Sequence, residues 1–299
     1  MTQTIRKVAI QGVAGANHEL AARDYFSPEA IEIVPCHTFP QLFQVVKERP
    51  EVYGIVAIEN TLVGSLLPNY TLLKDSGLAI IGEYKLRVKH QLMAMPGQKI
   101  TDIREVRSHP MALAQCEEFF KPYPKIKIIE SEDTALSALE IYENKEMGAA
   151  AIASELAAKL YHLDVLAHNI ETNKRNFTRF LILSDRANPE IDELIEKGWI
   201  NKASLVFSFQ IDEEGSLSKI LTILAFYNIN LSKIQSLPVI GQEWEYLFYI
   251  DINFKSYQRY LQALDAIRPL IYKLKILGEY ESGKQSFSIN GTAEKSPSL

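Results

Sequence analysis

The sequence predicts an α/β protein in which two α/β lobes are followed by a smaller domain of another type. Strand-like and helix-like segments alternate up to about residue 185, a pattern typical of parallel sheets covered by helices. A polar stretch containing Asn-Pro then interrupts the pattern over residues 186–201. From residue 202 to 281 the segments follow the order βαββαβ, which is typical of ferredoxin-like domains.

The first lobe is predicted from apolar segments of strand length, each followed by a helix-like segment. The strands are expected at 7–12, 31–36 and 54–60, and the helices at 18–26, 39–49 and 66–76. Thr38 and Gln41 form a capping box at the start of the second helix, with Pro40 in its first turn. A strand-rich run over 78–95 follows.

After Pro96-Gly97 the alternation resumes and gives more units than one small sheet holds, so we expect a second lobe. Its strands are predicted at 105–110, 125–131, 148–153 and 164–170, and its helices at 111–120, 133–144 and 154–161. The apolar segment Phe180–Leu183 is predicted to be a buried strand. It is preceded without a turn residue by a polar, basic stretch, 173–179.

The remaining boundaries follow from the change of order. We assign 1–185 to the two-lobed domain, 186–201 to a linker with one short helical piece, and 202–281 to the βαββαβ domain. In that domain, strands are expected at 203–210, 231–239, 245–253 and up to Tyr280, and helices at 217–228 and 256–274. The polar, patternless segment 282–299 is expected to be a disordered tail.

Composition narrows the function classes. A formal net charge of −5 argues against a nucleic-acid partner, which would require a basic patch. The chain starts without an apolar signal segment, and no later run approaches a membrane span, so we expect a cytoplasmic protein without a membrane partner. The two cysteines, Cys36 and Cys116, have neither disulfide nor zinc-site spacing. We therefore expect no metal and no cofactor.

Polar residues stand at the carboxyl end of the strand 54–60, where ligands bind in open α/β sheets. Glu59, Asn60 and Thr61 either form part of a site or cap the next helix. Gly12 and Gly15, after the first strand, either present backbone N–H groups to an anion or serve only a tight turn. Both pairs of interpretations stay open on the sequence alone.

A second group follows the strand at 105–110. Ser108 either caps the next helix or faces a site, and Gln115 lies seven residues on, hence on the same helical face. His109 either acts as a general acid or is structural. In Thr178-Arg179, the arginine is either a surface ion-pair partner or part of a basic cluster that steers an anionic ligand.

Together, the segments "GIVAIENTLVGSLLPNYTLL", "SHPMALAQC", "NFTRFLIL" and "GSLSKILTILAFYNINLSKIQSLP" resemble the prephenate dehydratase family with a C-terminal ACT regulatory domain. The resemblance implies two lobes like those of periplasmic solute-binding proteins, with the active site in the cleft between them. It implies decarboxylating dehydration of prephenate to phenylpyruvate, in phenylalanine biosynthesis. The chain departs from the family's first loop at Ala16 and Asn17, where serine and an aromatic residue are usual.

The resemblance also implies roles for single residues. Thr178 is the catalytic donor to the leaving hydroxyl, and Glu59 is an acid or, as we favour, an orienting carboxylate. Asn60, Thr61, Ser108, Gln115 and Arg179 are expected to bind substrate. The rival hypothesis is a non-enzymatic sensor that binds an aromatic acid in the same two-lobed fold.

Regulation is expected from the ACT resemblance, in which phenylalanine binds between paired domains. The expected effector residues are Gly215, Ser216, Leu217, Asn230, Gln235, Ser236, Leu237 and Pro238. The chain reads GSL and QSLP where the family reads G-A-L and E-S-R-P, which removes a charged pair and predicts weaker phenylalanine inhibition. We expect a homodimer or homotetramer.

Overall fold

The structure is a computed structural model that describes residues 5–209, 213–239, 241 and 245–285. Its strands are β1 Arg6–Gln11, β2 Ile31–Cys36, β3 Val52–Asn60, β4 Gly64–Ser65, β5 Ala79–Arg87, β6 Gln91–Ala94, β7 Glu105–Ser108, β8 Lys127–Glu130, β9 Ala149–Ala153, β10 Asp164–Ala167, β11 Phe177–Ser184, β12 Lys202–Ser208, β13 Asn230–Pro238, β14 Tyr246–Asn253, β15 Tyr272–Tyr280 and β16 Lys284–Gln285.

Its α-helices are α1 Asn17–Phe26, α2 Phe39–Glu48, α3 Leu67–Ser76, α4 Pro110–Gln115, α5 Glu117–Phe120, α6 Thr134–Asn144, α7 Glu155–Leu160, α8 Pro189–Glu196, α9 Ser216–Phe226 and α10 Tyr257–Ile267. Short 3-10 helices lie at Ile100–Asp102 and Arg268–Leu270. The mixed α/β class predicted from the alternation is confirmed.

The first lobe is built on strands in the order β5-β11-β3-β1-β2. β1 runs parallel to β2 and β3, whereas β11 is antiparallel to both of its neighbours, β3 and β5. The parallel pairing expected from the alternation thus holds for β1, β2 and β3 but not for β11. The reason is the route of the chain, because β11 enters this sheet from the second lobe and runs back between strands of the first.

The second lobe has the strand order β10-β6-β9-β7-β8, with β7 parallel to β8 and β9. Two segments cross between the lobes, 88–90 after β5 and 168–176 before β11. They are bonded to each other, since Val88 N donates to Asn176 O at 2.8 Å and Ile170 N donates to His90 O at 2.8 Å. Both lobes are thus connected through one paired hinge.

The third unit has the strand order β13-β14-β12-β15, antiparallel throughout, with α9 and α10 in the βαββαβ order. This is the predicted ferredoxin-like architecture. Its sheet continues that of the first lobe, because Gly278 of β15 pairs with Ile80 of β5. A Cβ at Gly278 would lie 2.2 Å from Ile80 O, so only glycine allows this approach. Val206, Leu277 and Tyr280 complete one core with the first lobe.

Local differences from the prediction have local causes. The helix expected at 256–274 ends at Ile267, because Pro269 cannot continue it, and the last strand starts at Tyr272. The helix expected at 111–120 is broken at Cys116. The segment predicted to be a disordered tail begins as β16, which pairs with β5. The rest of that segment, from residue 286, lies outside the described residues.

Candidate active site

A cleft of about 300 Å³ lies between the two lobes. The first lobe contributes Asn17, His18, Asn60 and Thr178; the hinge contributes His90 and Asn176; the second lobe contributes His109, Gln115 and Asp133. Ala57, Leu66 and Phe180 are among the apolar lining residues. The volume is at the lower end of the range for small-molecule sites, which suits a single-ring ligand.

Asn60 and Thr178 are cross-strand partners at the ends of β3 and β11. Asn60 Nδ2 donates to Thr178 Oγ1 at 2.9 Å. The amide of Asn60 has one possible orientation, because its Oδ1 accepts from Leu62 N at 2.8 Å and from Val63 N at 3.1 Å. Thr178 Oγ1 must therefore accept from Asn60, and its own proton is left to donate elsewhere.

The same amide starts a chain of side-chain hydrogen bonds through the hinge. Asn60 Nδ2 also donates to Asn176 Oδ1 at 2.8 Å, and Asn176 Nδ2 donates to Gln115 Oε1 at 2.8 Å. His90 Nε2 lies 2.8 Å from the same Gln115 oxygen, so it carries the proton and donates. Gln115 Nε2 is thereby left with both of its protons for another acceptor. The chain links both lobes and orients two donors, Thr178 and Gln115.

Two histidines of the cleft, His18 and His90, are neutral at pH 7. Burial lowers the pKa of His18 from its ordinary 6.5 to about 4. His18 Nε2 accepts from Ala57 N at 3.4 Å, which requires that nitrogen to be unprotonated. Burial also lowers the pKa of His90, although Gln115 and Glu171 partly oppose the shift. The cleft therefore presents neutral donors to its ligand at pH 7.

The turn after β1 is held from both lobes. Gly12 and Gly15 have φ of +99° and +86°, so the turn requires glycine at both positions. The Gly15 N–H, an expected candidate for anion binding, donates to Glu19 Oε2 at 2.7 Å. Ser154 Oγ donates to Gly15 O at 2.6 Å from the second lobe. The N-cap of α1, Ala16, provides no side-chain cap, so the first turn of this helix faces the cleft uncapped.

Two expected site residues, Glu59 and Arg179, are not brought to the cleft. They pair with each other across β3 and β11, directly beside the Asn60–Thr178 pair. Since successive side chains of a strand point to opposite faces, both face the ferredoxin-like domain instead. Arg179 is buried there by Glu83 and other partners, and Glu59 binds Lys233. Neither Glu59 nor Arg179 lines the cleft, so the expected contact with substrate does not fit their positions.

Ser108 and Thr61 also have structural partners. Ser108 is fully buried and donates to Ile152 O at 2.6 Å, which ties β7 to β9. It does not cap α4, as one interpretation held; His109 does, since its Nδ1 accepts from Met111 N at 3.2 Å. Thr61 Oγ1 donates to Arg175 O at 2.8 Å and accepts from Phe177 N at 2.9 Å. Thr61 thus fixes the entry to β11.

Sequence reasoning missed several cleft residues, among them His18, His90, Asn176 and Asp133. Asn176 stands two residues before Thr178 in an extended segment, so strand alternation places both on one face and could have identified it. Asp133 is the N-cap of α6, with Oδ1 accepting from Ala135 N at 2.8 Å and Leu136 N at 2.9 Å. His18 follows the turn at Gly12 and Gly15, which was already a candidate anion site. Nothing in the sequence near His90 indicates a site, because only the packing of the two lobes brings it to the cleft.

The residues expected to bind phenylalanine lie in three places in the ferredoxin-like domain. Gly215, Ser216 and Leu217 lie at the start of α9, and Gln235 to Pro238 form the far end of β13. Asn230 lies at the other end of β13, opposite Asn253. α9 has 11 residues, so about 16 Å of helix separates Asn230 from Gly215 within one chain.

Two further properties of the described residues, 5–209, 213–239, 241 and 245–285, concern metal ions and membranes. No group of three or more His, Cys, Asp or Glu side chains in that part of the chain is arranged to hold a metal ion. Likewise, none of the described helices is both long and apolar enough to cross a bilayer.

Two α/β lobes around a cleft of neutral donors define a protein that binds a small polar molecule between its lobes. The chain belongs to the prephenate dehydratase family, which it matches over residues 8–188. It is 36% identical over 278 residues to a bifunctional chorismate mutase/prephenate dehydratase of Aquifex aeolicus, covering 92% of this chain and 73% of that protein. It is 38% identical over 287 residues to arogenate dehydratase/prephenate dehydratase 2 of Arabidopsis thaliana, covering 92% and 72%.

Solved structures agree on the fold over more than nine-tenths of the chain. A prephenate dehydratase from Arthrobacter aurescens in complex with L-Phe is similar with a TM-score of 0.80 at 26% identity, covering 92% of this chain and 90% of that one. GqqA, described as a novel type of quorum quenching acylase, is similar with a TM-score of 0.81 at 30% identity, covering 93% and 98%.

Proposed function

We propose that the protein is a prephenate dehydratase, which converts prephenate to phenylpyruvate, water and carbon dioxide. The observation that carries the proposal is the orientation of Thr178. Asn60 occupies a lone pair of its oxygen, so the hydroxyl proton is free to donate into the cleft. Family membership supports the same reaction.

The reaction needs help where hydroxide leaves the ring. The bond from the ring to its carboxylate breaks, its electron pair enters the ring, and the carbon–oxygen bond at the opposite ring carbon breaks. Thr178 donates a hydrogen bond to the departing oxygen, and this bond strengthens as negative charge develops there. Threonine is too weak an acid to transfer its proton outright at pH 7, so a proton from solvent completes the water. Aromatisation drives the reaction.

Binding of the substrate carboxylates is assigned to neutral groups. Gln115 Nε2 has both protons available, and the uncapped first turn of α1 offers N–H groups and a positive dipole end. His90 and Asn176 hold Gln115 rather than the substrate. Neutral donors leave the departing carboxylate without a full counter-charge, which favours its loss as carbon dioxide.

The test is direct. Purified full-length protein is incubated with prephenate, and phenylpyruvate is followed by its absorbance. Turnover supports the proposal; binding of prephenate without turnover supports instead the sensor hypothesis, in which the same cleft only binds an aromatic acid. The likeness to GqqA adds an acylase as a third candidate, tested by amide hydrolysis. Within the described cleft, Thr178 is bonded to an amide rather than to a histidine base, which favours the dehydratase.

Phenylalanine is proposed as an allosteric effector, and the related structure in complex with L-Phe supports this. The separation of Asn230 from Gly215 fits a site completed by a second copy of the chain, hence a homodimer or homotetramer. Because Gln235 and Leu237 stand where the family has glutamate and arginine, inhibition is expected to be weak. Calorimetry with phenylalanine on the full chain and on its Gln235→Glu/Leu237→Arg variant tests this: affinity must rise in the variant.

A further inference from the structure

The face of β11 and β3 opposite the cleft carries a set of charges, most of them buried, here called the interdomain ion cluster. Its members are Arg179, Glu59 and Glu83 of the first lobe and Lys202, Lys233 and Asp251 of the ferredoxin-like domain. No step of the proposed reaction uses these charges. They nevertheless lie directly behind Asn60 and Thr178, to which the reaction is assigned.

Arg179 is the centre of the cluster, with its side chain 7% exposed. Its Nε donates to Glu83 Oε2 at 2.6 Å and its Nη1 to Asp251 Oδ2 at 2.5 Å. Nη2 donates to Tyr280 Oη at 3.2 Å. The guanidinium thus binds one carboxylate from each domain. An arginine held at this many points has little freedom, and neither has the strand residue that carries it.

Glu59 is likewise bound by a residue of the ferredoxin-like domain. Lys233 Nζ binds Glu59 Oε2, and donates to Ser65 Oγ at 3.0 Å. Glu59 Oε1 also lies 3.7 Å from Arg179 Nη1. β3 ends one residue later, at Asn60. The end of this strand is therefore attached to β13 through a lysine.

The charges balance only when both domains are present. The first lobe contributes one cation and two carboxylates, whereas the ferredoxin-like domain contributes two cations and one carboxylate. Burial alone would raise the pKa of Glu83, but Arg179 and Lys202 lower it to about 2. Removing or shifting one domain would leave a buried charge without its partner, which is strongly unfavourable.

The register connects this cluster to catalysis. Thr178 pairs with Asn60, and Arg179 pairs with Glu59, so the two cross-strand pairs are neighbours on opposite faces. A displacement of Arg179 and Glu59 must move Thr178 and Asn60, since only one peptide unit separates them. Correct placement of a catalytic donor requires its supporting residues to be fixed as well.

We propose that Arg179 and Glu59 are positioning residues, through which the ferredoxin-like domain holds Thr178 and Asn60 in their catalytic geometry. The inference rests on the proposed dehydratase function for its kinetic consequence. It assigns regulation a physical route: an effector that shifts Asp251 or Lys233 changes turnover without touching the cleft.

The experiment compares Lys233→Met and Asp251→Asn in the full chain with a control, Lys197→Met. Lys197 also forms an ion pair, with Glu193 at 3.0 Å, but on the exposed surface of α8. We expect kcat to fall about tenfold or more in the first two variants, with KM for prephenate within about twofold. The control should keep the kcat of the wild type.

A double variant separates positioning from substrate contact. If Glu59 acts through Lys233, Glu59→Gln combined with Lys233→Met should lower kcat no further than Lys233→Met alone. Additive losses would show that Glu59 acts independently and would overturn its assignment. An unchanged kcat in both Lys233→Met and Asp251→Asn would overturn the inference as a whole.

Amide hydrogen exchange gives a readout that needs no activity. Lys233→Met and Asp251→Asn should speed exchange at residues 56–62 and 177–181, whereas the control should not. Unchanged protection overturns the inference, whether or not the protein turns over prephenate. A wild type without dehydratase activity would overturn only the proposed function.

Discussion

Asn60 and Thr178 face each other across β3 and β11, and the amide nitrogen of Asn60 donates to the threonine oxygen at 2.9 Å. The direction of this bond is set by backbone groups, because Leu62 N and Val63 N both donate to Asn60 Oδ1. Two main-chain N–H groups thus leave the proton of the Thr178 hydroxyl to point away from Asn60. The next two predictions depend on that direction.

Thr178→Val should nearly abolish turnover while the fold stays intact. Valine keeps the shape and strand preference of threonine and removes only the donor. Loss of one transition-state donor lowers kcat by roughly 10² to 10³, about 3 to 4 kcal/mol. Thr222→Val is the control, since it removes an exposed hydroxyl that donates to Ser218 O within its own helix, α9, of the ferredoxin-like domain. A Thr178→Val enzyme with more than about a third of the wild-type kcat contradicts the role.

Asn60→Asp reverses the bond to Thr178 and also removes the bond that Asn60 Nδ2 donates to Asn176 Oδ1. The carboxylate keeps the size of the amide and still accepts from Leu62 N and Val63 N. Its second oxygen, however, now accepts from Thr178, so the hydroxyl proton turns away from the cleft. We expect kcat to fall by a factor of about 10² or more. The melting temperature should stay within a few degrees of the wild-type value. A kcat near that of the wild type would show that the orientation of Thr178 does not matter.

The hydrogen bond between Asn176 and Gln115 predicts that substitutions at these two positions have coupled effects. Asn176→Ala and Gln115→Ala should each raise KM for prephenate, because both leave the Gln115 donors lost or misdirected. A lost donor to a charged group corresponds to roughly 1.5 to 3 kcal/mol. The double variant should cost little more than Gln115→Ala alone, since Asn176 acts through Gln115. Strictly additive costs would mean that Asn176 contacts the substrate itself.

Much of this architecture could be predicted from local signals. The Thr38 cap, the apolar strands and the βαββαβ order are local signals, and the structure reproduces them. The strand direction of β11 could not be read, because it depends on where the chain re-enters the first sheet. The end of α10 at Ile267 could have been predicted from Pro269, but the expected helix was extended to residue 274 on the longer apolar pattern.

The site was predicted in part, and its errors are instructive. Asn60, Gln115 and Thr178 line the cleft, as expected from their motifs. Glu59 and Arg179 do not, and the period of a strand already excluded them, since neighbours in a strand cannot face the same side. His90 could not be predicted, because its contact with Gln115 exists only once the hinge and the second lobe pack together.

His18, which lines the cleft, predicts a pH effect on stability. The pKa of His18 is about 4 in the folded protein, below its ordinary 6.5, because burial opposes its charge. The unfolded chain therefore binds a proton first as pH falls. The contribution of neutral His18 is fully present above pH 6.5 and is lost progressively between pH 6.5 and 4, by at most about 3 kcal/mol.

Urea unfolding at several pH values measures this loss. Between pH 6.5 and 4 the free energy of unfolding of the wild type should fall more steeply than that of His18→Gln, which has no titrating group there. Outside this range the two curves should run parallel. Equal slopes within the range would mean that His18 is protonated in the folded protein without cost.

Asp133 predicts how the cleft distinguishes a 2-keto acid from a 2-amino acid. It is the one carboxylate among the described cleft-lining residues, and burial raises its pKa above the ordinary 3.8. Its Oδ1 caps α6, whereas its Oδ2 lies against the turn after β1, where a Cβ on Gly12 would be 3.2 Å away. That turn leads into the uncapped first turn of α1, to which a substrate carboxylate is assigned. A carboxylate-binding helix end beside an aspartate matches an amino acid, in which carboxylate and ammonium are neighbours.

Arogenate carries an ammonium group where prephenate carries a ketone, and a relative of this chain is named for both substrates. Asp133→Ser removes the charge but keeps a good N-cap for α6. Since a charged hydrogen bond to the ammonium is lost, kcat/KM for arogenate should fall by roughly tenfold to 100-fold, about 1.5 to 3 kcal/mol. The value for prephenate should stay equal or rise, because a ketone gains nothing from a carboxylate. Asp133→Asn, which is also neutral and also caps, should behave alike. If both substrates lose the same factor in both variants, Asp133 supports only the helix, and the choice between the two substrates is made elsewhere.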